Sequence, residues 1–185
     1  MNIRFIFAAL LAGIIAVFSG WFYETQSEDS IGLANSDFPV EIDYFLKKVS
    51  IRVTSQSGSL DYVLKSPYLE HLNVEDISRI QDPDVSVYRN QDNWQVNADK
   101  GELFHQINWL QLQSNARLQR LGGDLFEVTS NSLLFEPDKD LVAANEALIM
   151  RTKGAEIHAE QAVFDLKQKI YRLQKTIAIY HNDET

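Results

Sequence analysis

Trp94-Gln95-Val96-Asn97-Ala98 and Phe126-Glu127-Val128-Thr129-Ser130 are two copies of one pattern: apolar residues at the first and third positions, polar residues between, and a small residue at the fifth. Tyr62-Val63-Leu64-Lys65-Ser66 precedes them and Ala155-Glu156-Ile157-His158-Ala159 follows, so the copies start 32, 32 and 29 residues apart. Alternation with a period of two marks a strand with one buried face, because successive side chains of a strand point to opposite sides. The apolar face tapers from aromatic to small along each copy. Recurrence at this period marks an internal repeat of a unit that cannot bury its apolar face alone and stacks on its neighbours.

The register runs on beyond the five residues. Nine positions after each start stand His71, Leu103, Phe135 and Phe164, and sixteen after stand Ser78, Leu110, Val142 and Tyr171. Three copies keep both apolar positions and the first departs. Between residues 39 and 180 no 3.6-residue apolar period is sustained for more than about two turns, so the domain is all-β, built of short strands.

Turn signals divide these strands. Ile42 to Val53 is extended in character, and Ser55-Gln56-Ser57-Gly58 turns it into the first copy as a long hairpin. Asn73 to Asp84 reads as a polar interruption before a Val85-Ser86-Val87 strand; Asp82-Pro83-Asp84 lacks the spaced ligands and closing Glu of a calcium loop. Leu121-Gly122-Gly123-Asp124 is a hairpin turn, since no Lys-Ser/Thr follows to make it a phosphate loop. Glu136 to Asp140 and Arg151 to Gly154 are further turns. Thr176 to Tyr180 is the last alternation and a natural sheet edge.

Ahead of this domain lies an uncharged run of nineteen residues, Phe5 to Tyr23. As a helix it spans roughly 28 Å, close to the hydrocarbon thickness of a bilayer. Arg4 precedes it, acids follow it, and Trp21 to Tyr23 form an aromatic interface, which leaves the amino terminus in the cytoplasm and residues 24–185 outside. A cleaved signal peptide competes, but the run exceeds a usual h-region and its basic region is one side chain. Gly13 and Ala16 offer a face for another membrane helix. The expected organisation is an anchor at 1–23, a polar linker at 24–38 and a folded domain at 39–185.

Composition narrows the partners. Seventeen basic against 26 acidic residues give a net charge of −9, which excludes nucleic acid as the main partner. Lys47-Lys48 and Lys167, Lys169, Arg172 and Lys175 are interleaved with apolar residues and read as solvated faces. No cysteine is present, so neither disulfides nor thiolate metal sites arise. The four histidines stand apart in the sequence, with no metal-ligand spacing and no cofactor motif. No serine sits in a Gly-x-Ser-x-Gly elbow, and no carboxylate pair is raised above the others. What the sequence offers instead is one apolar face: Tyr62, Leu64, Trp94, Val96, Leu103, Leu110, Phe126, Val128, Phe135, Ile157 and Phe164. It is either an ordinary core or an interior that holds an acyl chain.

A single uncharged span, a polar linker, Pro39 with Asp43-Tyr44-Phe45-Leu46, the Gly58-Ser59-Leu60-Asp61-Tyr62-Val63-Leu64 hairpin and Trp94 to Gly101 together resemble the LptC family of lipopolysaccharide export proteins. The similarity covers essentially the whole chain and rests on the order of short motifs. It implies an elongated β-jellyroll, open along its length, on a single-pass protein of the inner membrane of Gram-negative bacteria with its domain in the periplasm. The function it implies is a non-enzymatic relay, taking lipopolysaccharide from an ABC transporter (LptB, LptF, LptG) and passing it to periplasmic LptA. The folds would join edge to edge. The transporter would meet the anchor and the amino-terminal edge with Tyr44 and Gly58; LptA would meet the edge with Gly154, Ile177 and Ile179. A homodimer is a further possibility.

Two rivals predict different interiors. A tethered protein-binding scaffold would have a filled core, whereas an anchored hydrolase would have a polar cleft with a nucleophile and base. On the lipid reading, Phe126→Asp or Val128→Asp leaves a folded domain with impaired loading.

Overall fold

The computed structural model describes residues 42–89 and 92–180, and within them the chain forms fourteen strands and one 3-10 turn, Pro137–Lys139. The expected span Phe5 to Tyr23, the linker at 24–38 and His181 lie outside the described residues.

Four strands run long: β1 (Ile42–Thr54), β2 (Leu60–Leu72), β7 (Trp109–Leu121) and β8 (Phe126–Glu136), and β1 pairs along the whole of β2. The last three each change partners halfway. Residues 68–72 of β2 pair with β3 (Ile77–Gln81), whereas residues 62–65 pair with β4 (Asp84–Arg89). The first half of β7 pairs with β6 (Lys100–Phe104) and its second half with β5 (Asp92–Asn97). The second half of β8 pairs with β9 (Leu141–Ala144) and its first half with β10 (Leu148–Thr152).

The pairing therefore falls into two halves, here sheets I and II. Sheet I runs β1-β2-β3-β6-β7-β8-β9, then β12 (Gln161–Asp165) and β13 (Ile170–Gln174). Sheet II runs β1-β2-β4-β5-β7-β8-β10, then β11 (Ala155–Ala159) and β14 (Ile177–Tyr180). All neighbours are antiparallel. The shared long strands make a seam along which one sheet bends into the other.

The chain crosses this seam near Lys48, Ser66, Asp82, Ala98, Ser114, Asn131, Glu146, Glu160 and Lys175, every 14 to 18 residues. A 32-residue repeat is thus one bent strand out and one back. Each copy starts at the free tip of sheet II and ends, on Ser or Ala, at the seam. The small fifth residue therefore lies at the bend and the first residue, aromatic in three of the four copies, at the tip. Bending takes several residues out of ordinary strand geometry: Lys48, Asp82, Ser114, Asn115 and Lys175 have φ of 53°, 42°, 64°, 54° and 51°. Backbone bonds keep the seam closed, including Asp82 N–H to Asp99 O at 2.9 Å and Asp99 N–H to Ser114 O at 2.9 Å. The Ser66 hydroxyl reaches the carbonyls of Tyr68 and Gln81 at 2.7 and 2.6 Å, doing for β2 what a ladder bond would do.

One expectation needs correcting. The polar stretch from Asn73 to Asp84 contains β3, with Ser78 and Ile80 buried. Its alternation, Ile77-Ser78-Arg79-Ile80, breaks on Ser78, which faces inward and shares a hydrogen bond with the His105 ring in the β6–β7 turn. A buried polar residue with a tertiary partner disguises a strand in sequence.

Candidate functional site

The inward positions of the two sheets line up into rows that cross every strand. In sheet II the register joins Ile51, Leu64, Val85, Val96, Leu118, Val128, Met150, Ile157 and Ala178, an unbroken apolar row from β1 to β14. In sheet I it joins Tyr44, His71, Ser78, Leu103, Leu110, Phe135, Val142, Phe164 and Tyr171. The positions nine and sixteen after each repeat start are this second row. The first copy departs from the apolar rule because the β1 end of the row is polar.

Between the rows the interior is occupied by its own side chains. Trp94, Val96, Val128 and Phe164 have no exposed surface, and Leu64, Leu110, Phe126 and Phe135 are also buried. Tyr62, Leu103 and Ile157 are half-buried and pack against that core. Aromatic edges and faces connect the sheets: Tyr62 meets Phe135 at 6.0 Å, and Phe126 meets Phe164 at 6.1 Å and Tyr171 at 4.7 Å. Trp94, in turn, meets Phe126 at 5.3 Å within sheet II. Burial pushes the Tyr62 and Tyr171 phenols above their ordinary range.

The free tips of the sheets are tied by charge. Arg89, at the end of β4, is buried and donates to Asp61 of sheet II and to Asp140, which follows the Pro137–Lys139 turn of sheet I. Lys169, in the β12–β13 turn of sheet I, pairs with Asp92 of sheet II. Arg89 and Asp140 are 51 residues apart in sequence, and no local pattern connects them.

The partner-edge residues are placed as follows. Tyr44 lies on β1 and stacks on His71 at 4.7 Å. Gly58 lies in the β1–β2 turn with φ of +84°, a conformation that suits only glycine at low cost. Gly154 lies in the β10–β11 turn. Ile177 and Ile179 lie on β14, whose one partner among the described strands is β11; they pair with His158 and Glu156 on the outward face, and it is Ala178 that continues the inward row. A groove of about 770 Å³ runs along that outward face beside β14, lined by Arg117, Thr129, Ile149, His158 and Ile177 among others.

The histidines do not all stand apart. The His71 Nδ1–H donates to Asp43 at 2.7 Å, its Nε2 lies 3.4 Å from Asp76, and its ring is 5.1 Å from His105. The bond to Asp43 raises the His71 pKa and, reciprocally, holds the Asp43 carboxyl below its usual range. Ser78 Oγ lies 2.8 Å from His105 Nε2, which is the nucleophile-base spacing a hydrolase needs. Ser78, however, is 1% exposed and sits inside the inward row of sheet I, out of reach of a substrate. Sequence spacing missed this cluster because Asp43, His71, Asp76 and His105 come from two strands and two turns. Among the described residues no group of three or more His, Cys, Asp or Glu forms a metal site.

Comparison with known proteins agrees with this architecture. The structure superposes on LptH, the LptA-homologous periplasmic component of the lipopolysaccharide transport device of Pseudomonas aeruginosa, with a TM-score of 0.54 and 9% identity. The match covers 65% of this chain and 94% of that one, and at that identity it establishes a shared fold. No curated protein matches the chain. The family model for LptC-related lipopolysaccharide-assembly proteins matches residues 8–182. The chain therefore belongs to the LptC-related family of lipopolysaccharide-assembly proteins.

Proposed function

We propose that this protein is a relay: it accepts lipopolysaccharide from an inner-membrane ABC transporter at its β1 edge, holds the acyl chains between sheets I and II, and releases them at the β13/β14 edge to a periplasmic partner of the LptA fold. Family membership gives the coarser statement, a role in lipopolysaccharide transport, without catalysis, by a periplasm-facing inner-membrane protein. The observation that carries the finer reading is the apolar row from Ile51 to Ala178, which meets no polar side chain from one edge strand to the other. Each acyl methylene kept from water is worth about 0.8 kcal/mol, and a chain lying along such a row keeps apolar surroundings across every strand boundary. A strand added to β1 or β14 would extend the row into the next molecule.

The expected anchor, Phe5 to Tyr23, would hold the β1 edge beside the transporter. The second reading is a scaffold with a permanently filled core, and the tight packing of Trp94, Phe135 and Phe164 favours it. Photo-crosslinking residues at Trp94, Phe126 and Ile157, with Gln95, Glu127 and His158 as outward controls, separate the two. Lipopolysaccharide adducts that depend on ATP and appear at the inward set alone support the relay. A folded protein with adducts at neither set supports the scaffold.

A further inference from the structure

On three neighbouring strands of sheet II the inward apolar face ends, at the free tip, in a charged residue. Val85 and Val87 lead to Arg89 on β4, Val96 and Trp94 lead back to Asp92 on β5, and Ala116 and Leu118 lead to Arg120 on β7. Arg89 pairs in register with Asp92, and Trp94 with Arg120, so all three side chains share the inward face with the core. Sheet I answers with Asp140 on Arg89, Lys169 on Asp92, and Lys167 at 4.0 Å from Asp140. Charged side chains thus ring the tip of the interior, a mouth held shut in this structure by ion pairs between the two sheets.

A second observation points to an occupant. Among the described residues four buried side-chain atoms have no hydrogen-bond partner, the donors Trp94 Nε1, Arg120 Nε and Tyr171 Oη and the carboxylate oxygen Asp92 Oδ2, which Lys169 meets by charge, and all belong to this mouth. The Trp94 and Tyr171 rings are 6.4 Å apart across the two sheets. The bond Arg120 does make is from Nη2 to the Asp124 carbonyl at 2.9 Å. A buried donor without a partner is destabilising, and such a set is expected where a ligand's acceptors complete it.

We propose that this mouth is a receptor for the anionic head group of a phosphorylated amphiphile, with Arg120, Arg89 and Lys169 as its cations. When acyl chains part the sheets, Asp140 is drawn away from Arg89 and Lys169 from Asp92, because each pair joins opposite sheets. Phosphate oxygens then take the places of Asp140 on Arg89 and of Asp92 on Lys169, and meet the free Arg120 Nε. Asp61 stays with Arg89 and Lys167 stays with Asp140, since those partners move together. Chain entry and head-group capture are one event: the acyl chains break the pairs, and the phosphate stabilises the broken state. Lys167 and Lys169, which in sequence read as a solvated face, belong to this mouth by virtue of the fold.

The inference rests on the relay reading, and the test separates their failures. The full chain in mild detergent is titrated with bis-phosphorylated lipid A and with the same lipid A stripped of phosphate, following protein fluorescence. The wild type is expected to prefer the phosphorylated lipid by about tenfold or more, the effect of one or two charge-assisted bonds. Arg120→Gln is expected to bring that ratio to within about threefold. Lys169→Gln, at a half-exposed position, is expected to lower it in the same direction. A preference that survives in both variants overturns the mouth and leaves the relay standing. Binding of neither lipid by the wild type overturns the relay and the mouth with it. Displacement of lipid A by inorganic phosphate at matched concentration would make a free anion the ligand and overturn the proposal.

Discussion

Trp94 carries more of the interior than any other side chain: it is wholly buried and touches Phe126 and Tyr171 edge-on. Trp94→Ala is expected to cost about 3–5 kcal/mol, read as a fall in the urea midpoint at unchanged slope. Phe126→Asp is expected to behave differently from the sequence reading. With rings on both sides of Phe126, an aspartate there has no partner, and circular dichroism should show a partly or wholly unfolded domain rather than a folded one. His71 gives a pH signature. Its pKa is raised in the folded protein, so its contribution is fully present below the unfolded value, about 6.5, and is lost as pH rises through the raised value. The depressed Asp43 sets the other limit, losing its contribution as pH falls through its own lowered value. Replacing His71 with Gln should therefore lower the thermal midpoint more at about pH 5.5 than at about pH 9.

Elements obey the seam. Gly101, just past it on β6, is buried, and a Cβ there would stand 3.1 Å from the Pro83 ring and 3.4 Å from Leu110 Cδ1. Gly101→Val should overpack this corner and destabilise by about 1–3 kcal/mol, visible as a lower unfolding midpoint, while Gly154→Val, with open space around it, should not. The last strand is separable. Among the described strands β14 pairs with β11 alone, and its residues are exposed, Ile177 at 70%. Truncation after Thr176 is expected to leave the far-ultraviolet spectrum nearly unchanged and abolish capture of an LptA-type partner. Retained capture would move the exit edge to β13.

At the scale of the whole domain, the two sheets are joined along the seam by backbone hydrogen bonds and at the tips by ion pairs and aromatic contacts. Those two closures differ in kind: ladder bonds need the strands to unzip, whereas an ion pair exchanges one partner for another. Opening should therefore hinge at the seam. Hydrogen–deuterium exchange with and without lipid A is expected to change at residues 60–62 and 137–140 near the tips, and to stay fixed at Asp82, Ala98, Asp99 and Glu160 on the seam. Identical exchange at both ends would indicate a core that does not open.

How much of this was legible beforehand follows from the range of each interaction. Period-two alternation is a local property of extended backbone, so the strands of Trp94 to Ala98 and Phe126 to Ser130, the turns at Ser55 to Gly58 and Leu121 to Asp124, and the 32-residue repeat could be read directly from the sequence. Because repeat register becomes strand register, the sequence alone also determined the inward row of Leu103, Leu110, Phe135, Val142, Phe164 and Tyr171. The meeting of the two sheets was not encoded in any period. Arg89 on Asp140, Lys169 on Asp92, and His71 beside Asp43 and His105 join residues from separate strands and turns, through side chains whose type is common on any surface. Only the bend at the seam, which folds one half of every long strand over the other, decided that those charges would face each other across the mouth of an apolar interior.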